Sequence, residues 1–114
     1  MTATNSAIAA FPELQRLVDL REAGWSFLPV TDDDGELTEL RGVRAWPGGF
    51  ADALRVVYTT DAAGLRVDHT GCVVWQREGG LAEVVDGLLT LPGPETVGAP
   101  RLVLGRSPSG IWVP

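Results

Sequence analysis

Lysine is missing altogether from the 114 residues, and cysteine, histidine, methionine and tyrosine each occur once. A lone cysteine, Cys72, leaves no disulfide within the chain, which excludes the small secreted scaffolds that depend on bridges and points to a reducing compartment. One cysteine and one histidine, His69, also fall short of the usual ligand set for structural zinc, so neither a metal nor another cofactor is expected. No apolar run approaches the roughly eighteen residues of a membrane span. No cation precedes the few apolar residues of Met1–Ala10, so a signal peptide is not expected either, and the reading is a cytoplasmic protein.

Positive charge is scarce as well. Nine arginines face fifteen carboxylates for a net charge of −6, and neither half of the chain is basic. Phosphate backbones and anionic lipid surfaces are held by clustered cations, so neither nucleic acid nor a membrane is expected as a partner.

Hydrophobic residues make up 45% of the chain, enough at this length for the core of one domain. Residues 11–94 are read as a single α+β domain, residues 1–10 as a mobile tail, and residues 95–114 as a Gly- and Pro-rich segment docked on the domain. From Pro12, suited to a first helical position, Leu14, Leu17, Val18 and Arg21 fall at helical spacing with Leu20 beside them, and Gly24 supplies a stop. Trp25–Val30 reads as a strand in which Pro29 demands an edge or a strand end. Leu37–Trp46 is a second strand whose apolar parity changes near Gly42, suggesting a bulge.

Ala53–Glu78 reads as three strands joined by turns at Asp61-Ala62-Ala63-Gly64 and Thr70-Gly71. Leu81, Val84, Val85, Leu88 and Leu89 lie at i, i+3, i+4, i+7 and i+8, an amphipathic helix stopped by Pro92-Gly93-Pro94. A terminal Ile111-Trp112-Val113 is read as an added edge segment. The expectation is a two-layer α+β sandwich, an antiparallel meander of about five strands with an N-terminal and a C-terminal helix on one face. This element order is similar to that of small secretion chaperones and toxin-immunity domains, but no motif is shared, and element order alone licenses no function.

Pairing Thr60 with Leu65 and His69 with Cys72 puts Leu54, Val56, Tyr58, Leu65, Val67, His69, Cys72 and Val74 on the core face. Arg55, Val57, Arg66, Val73, Trp75 and Arg77 then form an apolar island with arginines on the open face. Exposed Trp and Arg together are the composition of interface hot spots. A cation–π pair with no partner is the bland reading of the same residues. The leading expectation is a non-enzymatic interaction module, adaptor-like, chaperone-like or immunity-like, that uses this face for a protein partner or a homodimer.

The alternative is a small-ligand binder or minor enzyme with a pocket near His69, Cys72 and Tyr58, where a thiol and an imidazole approach each other. Asp68 points away on this register and the turn offers no oxyanion site, so no catalytic residue is assigned. Asp32, Asp33, Asp34 and Glu36 lack calcium-loop spacing, because Arg41 stands where a bidentate Glu is needed. Gly105–Gly110 is not a nucleophile elbow, since Ser109 occupies a required Gly position.

Overall fold

The spacing of Leu81, Val84, Val85 and Leu88 leaves one apolar stripe on a ten-residue helix, and that stripe must be buried against something flat. In a computed structural model describing residues 12–106, it lies on an antiparallel sheet in which every strand pairs with its neighbour in the chain. A 3-10 turn, Pro12–Leu14, leads into α1, Gln15–Glu22. Then come β1, Ser26–Thr31; β2, Leu37–Ala45; β3, Ala51–Tyr58; β4, Asp61–Val67; and β5, Cys72–Gly79. The helix α2, Leu81–Thr90, follows, and the two-residue β6, Gly105–Arg106, adds to β5.

The fold is thus the expected α+β meander with two helices. Leu20 of α1 and Leu81, Val84, Val85 and Leu88 of α2 share one buried cluster with Trp25, Leu54, Val56 and Ala62, so both helices cover the same sheet face. Gly24 ends α1 at φ +105, letting the Trp25 amide reach back to the Leu20 carbonyl and turning the Trp25 ring into the core. The first amide of α2, at Leu81, donates to the Thr59 carbonyl in the β3–β4 turn, giving an orphan donor a partner. Pro29 lies in β1 at the sheet edge, where a missing donor is tolerated.

Three local expectations are corrected. Asp61–Gly64 is not a turn: Tyr58 pairs with Asp61 across Thr59-Thr60, and Ala62, Ala63 and Gly64 are strand residues of β4. The small residues serve packing, because a Cβ on Gly64 would sit 3.0 Å from Val84 Cγ1 and 3.1 Å from Leu88 Cδ1. Nor does β2 bulge at Gly42. Its register is continuous there, and Gly42 instead leaves room for the Phe27 ring, which a Cβ would meet at 2.7 Å.

Third, Cys72 is not opposite His69. The Asp68 amide bonds the Cys72 carbonyl, and His69 stands in the four-residue turn Asp68–Gly71. Beyond α2, Pro94 and Ala99 are buried and the Leu104 amide donates to the Val73 carbonyl, while residues 95–98 and 101–105 are exposed. The expected tail at residues 1–10 and the edge segment at Ile111–Val113 lie outside the described residues.

Candidate functional site

Moving the β3–β4 turn changes the β4 register by an odd number of residues, and an odd shift sends each side chain to the opposite face. Arg66 pairs with Asp52 on one side and Trp75 on the other. All three lie on the face under the helices, not on the open one. Trp75 packs against the helix-side core, with the Arg77 guanidinium 5.8 Å from its ring centroid. Gly87 of α2 admits both, because a Cβ there would come within 2.8 Å of Arg77 Nη1 and 3.1 Å of Trp75 Cζ2.

Val73 belongs to a separate buried cluster with Ala53, Leu65 and Val67. Arg55 bonds Glu39, and Val57 stands at the far end of β3. The six residues expected to form one partner-binding island are therefore divided between the two faces of the sheet.

Arg66 is the least accessible of them, 0% exposed, with Asp52 at 2%. Its Nε donates to Asp52 Oδ1 at 2.6 Å and its Nη2 to Oδ2 at 3.0 Å, a bidentate fork. The third guanidinium nitrogen is partnered as well: Nη1 donates to the Pro92 carbonyl, and Trp46 Nε1 donates to Asp52 Oδ2 at 3.0 Å. The Trp46 ring is capped by Arg44, 4.0 Å from its centroid, with Arg66 at 5.5 Å. Every side-chain nitrogen and oxygen of the Arg66–Asp52 pair thus has a protein partner. The network ties the β2–β3 hairpin to the segment after α2, and among the described residues no buried side-chain nitrogen or oxygen lacks a partner.

The alternative site does not assemble. Tyr58 ends β3 at the β4 turn, whereas His69 and Cys72 lie beyond Val67, which pairs with Ala51 at the other end. At the rise of a strand, that separation is roughly 20 Å. Asp68 acts as a turn residue: its Oδ1 accepts from the Thr70 hydroxyl and from the amides of Thr70 and Cys72. The Thr70 hydroxyl, then the Cys72 amide, hold its carboxyl below the usual range. A shallow hollow of about 310 Å³ nearby is lined by Phe50, Asp68, Val74, Pro94, Glu95 and Arg101, and neither His69 nor Cys72 lines it. Among the described residues no three His, Cys, Asp or Glu are grouped to hold a metal ion.

The apolar groove lies elsewhere, where β2 and β3 part company. Their last paired residues are Leu40 and Val56, yet β2 begins at Leu37 and β3 runs on to Tyr58. Leu14 of the 3-10 turn and Leu17 of α1 close one side of this fork. The result is an open groove of about 290 Å³ lined by Leu14, Leu17, Leu37–Leu40 and Val56–Thr59. Leu37 is 62% exposed and Tyr58 70%, large apolar surfaces left open among the described residues. Of the residues expected to form a site, Val57 and Tyr58 line it, and Arg55 borders it through Glu39. Leu14, Leu17 and Val56 are legible in the sequence as helix and core positions, but the groove is a product of strand divergence, and ordinary leucines carry no signal of that.

Glu39 is the charged member of the lining. Its Oε2 accepts from Arg41 Nε at 2.8 Å and Arg55 Nε at 3.2 Å. The hydrogen bond from Arg41 lowers its pKa most, burial opposes, and Arg55 adds to the lowering. A depressed carboxyl stabilises the fold above its unfolded pKa, and the contribution is lost as pH falls through the folded value. The stability difference between wild type and Glu39→Gln, from urea titrations, is expected to be about 1 kcal/mol or less. It should hold steady from neutral pH down to about the ordinary value of 4.5 and shrink below it. A difference that grows on acidification contradicts the assignment.

Comparison with protein-family models, with curated proteins and with solved structures finds no match for this chain.

Proposed function

We propose that this chain is a non-enzymatic protein-interaction module whose contact surface is the groove at the β2–β3 fork. The observation that carries the reading is the exposure of Leu37 and Tyr58 on the rim of an apolar cleft. Contiguous exposed apolar surface in a small domain marks a place where something binds. The polar groups that chemistry would require are spent on each other: Arg66 on Asp52, Asp68 on its own turn, Glu39 on two arginines. An open groove also suits a polypeptide better than a small molecule, which is held in a pocket that encloses most of its surface.

Nile red, a neutral apolar dye, provides the first test. Its fluorescence is expected to rise on titration with native protein, and Leu37→Ser or Tyr58→Ser should weaken the dissociation constant by roughly fivefold, about 1 kcal/mol of lost apolar contact. Both side chains are exposed, so the fold should survive, which circular dichroism checks. Dye binding that ignores both substitutions would remove the groove from consideration.

A further inference from the structure

The reading of the groove as a contact surface leaves its occupant undefined, and the charges at its mouth narrow the choice. Leu37 follows directly on the turn Asp32-Asp33-Asp34-Gly35-Glu36, whose residues are all exposed. Asp32 Oδ1 is occupied in that turn, accepting the amides of Asp34 and Glu36 at 2.9 and 3.0 Å, while no side-chain ion pair forms at Asp33, Asp34 or Glu36 among the described residues. On the other lip, Asp61 pairs in register with Tyr58 and is exposed, and Glu13 precedes Leu14. The nearby cations are in ion pairs, Arg16 with Asp86 at 3.3 Å and Arg41 and Arg55 sharing Glu39, and the one positive charge this leaves is outnumbered by the carboxylates of Asp33, Asp34, Glu36 and Asp61. An apolar floor is thus rimmed by unneutralised carboxylates on both lips.

We propose that the occupant is an extended, cationic segment of a protein partner. Its apolar side chains enter among Leu14, Leu17, Leu37 and Tyr58, and flanking Lys or Arg meet the carboxylates at the mouth. Charge complementarity selects the sign of the partner and speeds its approach, while apolar burial supplies the contact. The diverging strands favour an extended backbone, because alternate residues of a strand turn their N–H and C=O toward the side where a neighbour is missing. This inference rests on the groove being the contact surface, and the experiment separates the two.

Three labelled nine-residue probes are titrated against the full chain by fluorescence anisotropy, each alternating leucine with lysine, with threonine or with glutamate. The lysine probe is expected to bind about tenfold more tightly than the threonine probe, and the glutamate probe more weakly still. Raising NaCl from about 0.05 to about 0.5 M should erase most of the lysine advantage. Asp33→Asn, Asp34→Asn and Glu36→Gln combined should lower lysine-probe affinity severalfold and leave the threonine probe unchanged.

Leu37→Ser should weaken all three probes alike. If the threonine probe binds in a Leu37-dependent way but charge makes no difference, the groove stands and the cationic partner is overturned. If no probe responds to Leu37→Ser, the groove reading itself fails. A dimer by light scattering that Leu37→Ser dissociates would make a second copy the occupant and overturn the proposal.

Discussion

Arg66→Ala is expected to lower the free energy of unfolding by about 3–5 kcal/mol, because it strands the Asp52 carboxylate in a dry interior. For a domain of this size that is about a fifth or more of a typical total of about 5–15 kcal/mol. The melting temperature should fall by about 10–20 °C. Asp52→Ala should act similarly, by isolating the guanidinium. Arg66→Lys should recover little, since an ammonium cannot make the two parallel bonds to Asp52 and still reach Pro92.

Replacing both partners with Asp52→Leu and Arg66→Met distinguishes burial of charge from loss of bonding. In many proteins a buried pair is replaced by apolar residues at no loss. Here recovery should be partial, because the Trp46 indole N–H and the Pro92 carbonyl lose their partners too, each about 1–3 kcal/mol when left unsatisfied. Thermal and urea denaturation of the four variants report the comparison. A loss under about 1 kcal/mol for Arg66→Ala would mean that water reaches the pair and that it does not tie the hairpin to the chain after α2.

The second large effect is expected at Gly64. Leucine there should destabilise by about 2–3 kcal/mol, because the added atoms would lie between β4 and α2. Alanine is a finer case. Its Cβ meets Val84 and Leu88 at about 3 Å, so the helix must give by a few tenths of an ångström. Against that, removing a glycine restricts the unfolded chain by about 0.4–1 kcal/mol. Gly64→Ala should therefore fall within about 1 kcal/mol of wild type, with Gly64→Val between it and leucine. The near-ultraviolet circular dichroism, to which Trp75 beside α2 contributes, should change in the same order. Equal urea midpoints for alanine and leucine would show that α2 does not seat on β4.

Gly64 also marks where reading residues in sequence order stopped working. Helical spacing located both helices, and Leu54 and Val56 identified the inward face of β3. Asp61-Ala62-Ala63-Gly64 has the composition of a turn, however, and nothing local distinguishes small residues that bend a chain from small residues over which a helix lies. The choice displaced β4 relative to β3 and inverted the faces of β4 and β5 together. Their mutual register up to the bulge at Val74 was set by the second turn, which is why Arg66 and Trp75 were recognised as neighbours although their environment was not. The Trp46 and Pro92 contacts to the ion pair required three distant segments to be placed at once, and the groove required knowing where two strands cease to pair. Neither leaves a periodic trace in the sequence.

Strand order has a kinetic consequence. Each hairpin closes a short loop, with Thr31 to Leu37 the longest span among β1–β2, β3–β4 and β4–β5, and loop-closure entropy rises with loop length. The seam between α1 and α2 is different, because Leu20 meets Val84 and its neighbours only after the intervening sheet is in place. Low contact order sets a meander toward the faster end of β-containing domains, with the helical seam the late event. A lesion in α1 then accelerates unfolding more than it retards folding. The lifetime of the native state, as opposed to the speed of reaching it, is then expected to depend most on the eight residues of α1.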